Sequence, residues 1–154
     1  MADIRSRVGY EDFIARAPAV AAALREISKS APDAGLDKGL LELVKIRASQ
    51  INGCAFCLQL HLNFARKLGV PAAKLDLVAA WREARAFDAR EMAALAWTET
   101  LTRLKPEAAS DADYAALRAQ FSEDEALFLT VAIGVINQWN RLGVALRFAP
   151  PTAA

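Results

Sequence analysis

The sequence predicts an all-α protein, and three observations lead to that prediction. Apolar residues make up 55% of the 154 residues, and a large share of them are alanine, the residue that most favours helix. Apolar side chains recur at helical spacing along the chain, and helix-capping residues precede several of these segments. Segments with the two-residue alternation of a half-buried strand are nearly absent.

The helices are expected in sequence order, joined by short loops. The predicted segments are about 10–29 with a restart at Pro18, 37–51, 54–68, a short helix with Pro71 in its first turn, 88–104, 111–120 and 122–147. Residues 30–35 are interpreted as a loop, because proline and glycine interrupt them. Asn52-Gly53 ends the second segment, because both residues accept left-handed backbone angles. Two segments open on a capping-box pattern, Asp88 with Glu91 and Ser122 with Glu125.

The last predicted helix is apolar on more than one side. A surface helix shows one apolar stripe, so this helix is expected in the centre of the core and partly in a subunit interface. Asn140 and Arg141 interrupt it and are interpreted as a polar pair at such an interface. Trp81, Trp97 and Trp139 are interpreted as core or interface residues, and the tail 149–152 is expected to be loose.

Composition predicts one domain, residues 1–154, in the cytoplasm. The net charge is +1 without a basic cluster, which argues against nucleic acid as a partner. The longest apolar stretch, 126–136, is well short of the roughly 20 residues that a membrane-spanning helix needs. The first residues carry no apolar core of signal-peptide type. The surplus of apolar residues is expected to be buried in a homo-oligomer.

Both cysteines and the single histidine of the chain fall within residues 54–61. Cys54 and Cys57 are three residues apart, and Cys57 and His61 are four apart, so a helix would place all three on one face. The cysteines would lie in the first turn, where free N–H groups and the helix dipole favour a thiolate. The spacing also suits a nucleophilic cysteine with a second cysteine that resolves its sulfenic acid.

Glu42 lies 12 residues before Cys54, on the preceding helix. If the two helices form an antiparallel hairpin, its carboxylate returns to the level of His61 and orients the imidazole, as the third member of a triad does. Other interpretations stay open at this point. The two cysteines are also typical of buried core residues, and a zinc ion held by Cys54, Cys57, His61 and Glu42 is conceivable. No metal or cofactor is predicted, because a second pair of ligands at the usual spacing is missing.

The stretch Glu42 to His61 resembles the signature of the AhpD-like alkylhydroperoxidases of the carboxymuconolactone decarboxylase superfamily: Glu, eleven residues, Cys-x-x-Cys, three residues, His. The resemblance extends over about residues 36–147. It implies an AhpD-like helical bundle, with the cysteine pair at the N-terminus of a central helix, in a homotrimer or hexamer.

The resemblance also implies residue roles in the reduction of hydroperoxides. Cys57 corresponds to the cysteine that attacks the peroxide, Cys54 to the resolving cysteine, and His61 with Glu42 to the proton relay. An external dithiol is the implied reductant. One position departs from the founding members, which carry a histidine where this chain has Phe56. Two alternatives therefore remain: a redox-sensing or partner-binding module with negligible turnover, and a decarboxylase or lactone-handling enzyme.

Overall fold

The chain folds into helices joined by short loops, as described by a computed structural model of residues 5–153. Met1 to Ile4, which belong to the segment where no signal peptide is expected, lie outside the described residues. Within 5–153 there are eight α-helices, one short 3-10 turn at Val78–Ala80 and no strand. The helices are α1 Tyr10–Arg16, α2 Pro18–Asp33, α3 Lys38–Asn52, α4 Ala55–Lys67, α5 Ala72–Leu77, α6 Ala89–Arg103, α7 Asp111–Arg118 and α8 Glu123–Leu146. The all-α prediction is confirmed.

Helix α8 is the central helix of the bundle. It packs against α2, α3, α4, α6 and α7, and Leu129, Ile133 and Ile136 on it are buried. This is the physical reason for its apolar residues on more than one side. No helix in the described range is both long and apolar enough to cross a membrane.

Helix starts follow the capping residues of the sequence. The Asp88–Glu91 and Ser122–Glu125 boxes are both formed, each with a side chain bonded to the N3 backbone and the N3 carboxylate bonded back to the cap. A third box, Ser110 with Asp113, opens α7. This box was not predicted, because the third position holds aspartate rather than the longer glutamate of the usual motif.

Three local predictions are wrong. Residues 30–33 belong to α2 rather than to a loop. Pro32 removes one backbone hydrogen bond of the last turn, but buried Ala31 anchors that turn in the core. Pro71 was expected in the first turn of its helix, but it is the N-cap residue, directly before α5. The tail is held rather than loose, because Asn63 Nδ2 donates to the carbonyl of Thr152 at 2.8 Å.

Helices α3 and α4 form the hairpin on which the site depends. Gly53 ends α3 in the left-handed conformation, with φ of 67°, and α4 begins two residues later. The two helices pack against each other along their length. As a result, a residue near the middle of α3 lies beside one near the middle of α4.

Candidate active site

A tight turn presents the cysteine pair. The Cys54 N–H donates to the carbonyl of Ser49 at 3.0 Å, and the Gly53 N–H donates to that of Gln50 at 3.3 Å. These bonds satisfy carbonyls at the end of α3 in the manner of a left-handed helix cap. The chain then reverses within two residues, which places Cys54 at the N-cap of α4.

Cys54 occupies the N-cap position with its sulfur as the capping atom. Its Sγ accepts a hydrogen bond from the backbone N–H of Cys57 at 3.2 Å. This N–H is one of the unpaired donors in the first turn of a helix, where the dipole also favours negative charge. A thiolate at Cys54 would therefore be stabilised by the backbone of its own helix.

Cys54 and Cys57 form a disulfide, with Cα atoms 5.4 Å apart. Both residues are only 2% exposed. Gly143 of α8 lies directly against the pair, and a Cβ added there would stand 2.7 Å from Cys54 Sγ and 3.3 Å from Cys57 Sγ. Glycine at this position lets the backbone of the central helix approach the sulfur atoms.

A cavity of about 740 Å³ opens beside the pair. Cys57 and His61 both line it, with Lys45 of α3 and a largely apolar wall. Cys54 lies behind Cys57, against Gly143 and in the same buried cluster as Phe148. A molecule in the cavity therefore meets Cys57 before Cys54.

The apolar wall is built mainly from aromatic rings. Phe56 lies with its ring centroid 4.8 Å from that of Tyr10 and 5.3 Å from that of Phe148. Tyr10 also contacts Trp139, which lines the cavity with it. Phe56 thus fills its position with an apolar ring that carries no proton to exchange.

Glu42 lies against His61, as the hairpin requires. Its Oε2 is 2.7 Å from His61 Nδ1, and its Oε1 accepts from Lys45 Nζ at 2.7 Å. Burial alone would raise the pKa of Glu42, but the bond to His61 and the charges of His61 and Lys45 outweigh it, and the pKa is lowered. Glu42 is therefore ionised at neutral pH.

The ionised carboxylate determines which histidine nitrogen carries the proton. A carboxylate only accepts hydrogen bonds, so Nδ1 of His61 must be the protonated nitrogen. In the neutral imidazole this leaves Nε2 able to accept a proton. The pair thus has the arrangement of a base and its orienting carboxylate.

The four residues singled out in the sequence come together on α3 and α4: Glu42, Cys54, Cys57 and His61. Asn140 of α8, which was interpreted as an interface residue, lies beside the end of α3. Asn140 is fully buried, at 0% exposure, between α8 and the end of α3, so its interpretation as an interface residue is wrong. A polar residue inside an otherwise apolar helix indicates a buried side chain with hydrogen-bond partners, because buried amides need partners. This was the signal in the sequence. Within residues 5–153, no three His, Cys, Asp or Glu side chains are grouped to hold a metal ion.

Known proteins resemble this chain in sequence and in fold. Residues 16–100 match the model of the carboxymuconolactone decarboxylase family. The chain is similar to the uncharacterized protein YdfG of Bacillus subtilis (strain 168), with 32% identity over 140 residues, which cover 91% of this chain and 93% of YdfG.

Solved structures share the fold. A protein of unknown function from Agrobacterium tumefaciens, for which an AhpD antioxidant defence role is suggested, is 34% identical, with a TM-score of 0.88 over 96% of this chain and 99% of that one. The debrominase Bmp8 is 19% identical, with a TM-score of 0.78 over 90% of this chain and 75% of its own. At 19% identity, the likeness to Bmp8 concerns the fold alone. The match over residues 16–100 shows that the chain belongs to the carboxymuconolactone decarboxylase family, and the likeness to the Agrobacterium tumefaciens structure shows that it has an AhpD-like fold.

Proposed function

We propose that this protein is a thiol-dependent peroxidase that reduces hydroperoxides through Cys54 and Cys57, with His61 and Glu42 as its proton relay. The observation that supports this most is the shared cavity, in which Cys57 and His61 face the same space while Glu42 holds His61 from behind. We further propose that it works in the cytoplasm as a homo-oligomer and that an external dithiol reduces it.

Cys57 is the proposed nucleophile because it is the cysteine that lines the cavity. His61, oriented by Glu42, takes the proton of the Cys57 thiol. The thiolate attacks the terminal oxygen of the hydroperoxide, the O–O bond breaks, and Cys57 becomes a sulfenic acid. The leaving alkoxide takes the proton of the Cys54 thiol and departs as an alcohol.

Cys54 completes the cycle as the resolving thiolate. The Cys57 N–H at 3.2 Å stabilises the negative charge on its sulfur. This thiolate attacks the Cys57 sulfenic sulfur, the S–S bond forms, and hydroxide leaves with the proton held by His61. The sum is one hydroperoxide and two thiols converted to an alcohol, a water and a disulfide.

The same geometry explains reduction by an external dithiol. One thiolate of the dithiol attacks Cys57, which borders the cavity, and Cys54 leaves. The second thiol of the dithiol then attacks the sulfur bound to Cys57, so that Cys57 leaves and the dithiol departs as a disulfide. A leaving thiolate that is already stabilised leaves faster. The N-cap position of Cys54 thus favours both the resolving step and the return to the reduced enzyme.

Stopped-flow kinetics of the reduced protein with cumene hydroperoxide test the proposal. We expect rapid loss of peroxide and a Cys54–Cys57 peptide lighter by two hydrogens. Cys57→Ser should abolish the reaction, whereas Cys54→Ser should still consume one peroxide and retain an oxygen on Cys57 that a sulfenic-acid trap captures. Full activity in Cys57→Ser would rule the proposal out.

A redox-sensing module with negligible turnover is the second candidate. Phe56 favours it, because this buried ring offers no proton beside the cysteines, where the founding peroxidases carry a histidine. A sensor predicts a single slow oxidation without turnover when dithiothreitol is supplied. Continuous peroxide consumption under the same conditions would eliminate it. A decarboxylase or lactone-handling activity would survive alkylation of both cysteines. This outcome separates that alternative from the peroxidase and from the redox sensor.

A further inference from the structure

A buried polar cluster lies behind the cysteine turn, where α8 meets the end of α3. Its four central side chains are Ser49, Asn52, Asn137 and Asn140, and Asn137 also donates to Thr102 Oγ1 and accepts from Arg141. Asn52 Nδ2 donates to Oδ1 of Asn137 and to Oδ1 of Asn140, each at 2.9 Å. The cluster is separate from the cavity, because none of its members lines that space.

Asn140 is the centre of this cluster. Its Oδ1 accepts from Asn52, and its Nδ2 donates to Ser49 Oγ at 3.0 Å. Ser49 Oγ in turn donates to the carbonyl of Lys45 at 2.7 Å, so its oxygen is available to accept. Each group therefore has a consistent donor or acceptor role, and the orientation of the Asn140 amide follows from its partners.

These bonds meet the backbone that presents Cys54. The carbonyl of Ser49 accepts the Cys54 N–H at 3.0 Å, and Asn52 immediately precedes the left-handed Gly53. Asn140 thus binds two side chains of the last turn of α3, directly before Gly53. A shift of the turn would move Cys54 Sγ relative to the Cys57 N–H that it accepts at 3.2 Å.

An apolar residue would fill the same space without the desolvation cost of a buried amide. A fully paired polar network nevertheless adds directionality, because hydrogen bonds allow one arrangement of the groups that make them. The cluster occurs where the orientation of a sulfur atom matters, whereas Ile133 and Ile136, in the preceding turn of α8, are buried apolar residues. This points to alignment of the turn rather than to packing alone.

We propose that Asn140 is a positioning residue for the cysteine pair: by holding Ser49 and Asn52, it keeps Cys54 Sγ aligned with the Cys57 N–H. Loss of Asn140 loosens that alignment, so the thiolate form is less stabilised and the disulfide becomes harder to reduce. The inference rests on the proposed redox role of the pair, but thiol acidity and disulfide equilibrium are measured without peroxide.

The test uses Asn140→Leu, which keeps the branched shape and the number of heavy atoms of the side chain and removes both hydrogen bonds. Two quantities are measured on the full chain: alkylation of each cysteine by iodoacetamide against pH, read by mass spectrometry, and the equilibrium of the disulfide with dithiothreitol. We expect the pKa of the more acidic thiol to rise by about one unit, and the equilibrium to shift about tenfold towards the disulfide.

Controls separate positioning from general stability. Thr98→Val removes a buried hydroxyl that donates within α6, to the carbonyl of Ala94, and should leave both thiol measurements unchanged while lowering the free energy of unfolding. Ser49→Ala should shift them in the same direction as Asn140→Leu. The double variant should shift them no further than Asn140→Leu alone, because both changes remove the same bond.

Three outcomes would overturn the inference. Thiol acidity and disulfide equilibrium within twofold of the unmodified protein in a folded Asn140→Leu variant would leave Asn140 a purely structural role. If Thr98→Val shifted thiol acidity and the disulfide equilibrium as much as Asn140→Leu does, the effect would come from lower stability of the fold. If Asn140→Leu fails to fold, unchanged thiol measurements in Ser49→Ala would overturn it. Absence of peroxidase activity with the expected shifts would instead refute the proposed function and leave this inference in place.

Discussion

Glu42 Oε2 lies 2.7 Å from Nδ1 of His61, across the hairpin of α3 and α4. The carboxylate is 6% exposed, and its pairing with His61 and Lys45 overcomes the effect of burial and lowers its pKa. The negative charge therefore persists below pH 4.5, the ordinary pKa of a glutamate side chain. It is available to stabilise a protonated His61 over the whole physiological range.

Glu42→Gln should slow peroxide consumption by about 10²-fold, because the amide cannot stabilise the imidazolium that forms when His61 takes a proton. The measurement is the rate at saturating peroxide, which should fall. Glu91→Gln is the matched control, because Glu91 also pairs with a lysine, Lys74, in a partly buried site. An unchanged rate in Glu42→Gln would remove Glu42 from the relay.

Gly143→Ala should destabilise the oxidised protein by about 1–3 kcal/mol, the usual cost of overpacking. The new Cβ would lie 2.7 Å from Cys54 Sγ, so the disulfide or α8 must shift. Gly134→Ala on the same helix is the control, because its Cβ would meet nothing within 4 Å. That variant should gain up to about 1 kcal/mol from helix propensity.

Urea unfolding of the oxidised forms measures both changes. A Gly143→Ala variant as stable as Gly134→Ala would show that α8 does not confine the disulfide. The comparison removes the general effect of replacing glycine by alanine in a helix, because both positions lie in α8.

Phe148→Ala should expose the disulfide to reductants. Phe148 is 5% exposed and belongs to the buried cluster that contains both cysteines. Its removal should cost about 3–5 kcal/mol of stability and speed reduction by glutathione several-fold. Phe121→Ala in another buried cluster should cost a similar amount of stability. Equal reduction rates in the two variants would contradict a shielding role for Phe148.

Glu99 should make stability depend on pH in the acid range. Its buried carboxylate accepts from Trp81 and pairs with three arginines, at 47, 82 and 103. Burial opposes ionisation, but these hydrogen bonds lower the pKa from 4.5 to about 2. A lowered folded-state pKa adds stability that is fully present above pH 4.5 and is lost as pH falls towards 2.

The expected loss over that window is about 2 kcal/mol, reduced from the full shift because two of the arginines are half-exposed and screened. Urea unfolding at several pH values, with Glu99→Gln as comparison, measures it. Glu99→Gln should be less stable at neutral pH and should lack this component of the acid dependence. Parallel pH profiles for the two proteins would refute the assignment to Glu99.

The sequence by itself predicts the helices and the residue types of the site, because these depend on neighbours along the chain. Helical spacing places Cys54, Cys57 and His61 on one face, Gly53 marks the turn, and the capping boxes at Asp88 and Ser122 open their helices as expected. The loop proposed for residues 30–35 was wrong over residues 30–33, because burial of Ala31 in the core extends α2 to Asp33, and burial is not a local property.

Tertiary packing settled what the linear pattern left open. Only the packed hairpin brings Glu42 within hydrogen-bond distance of His61. Both cysteines are buried, and only the tertiary structure shows that Cys57, rather than Cys54, lines the cavity. Asn140 looked like a polar interruption of an apolar helix until its partners on α3 were visible. The physical reason is the same in each case: burial and hydrogen-bond partners come from residues tens of positions away, which local spacing does not encode.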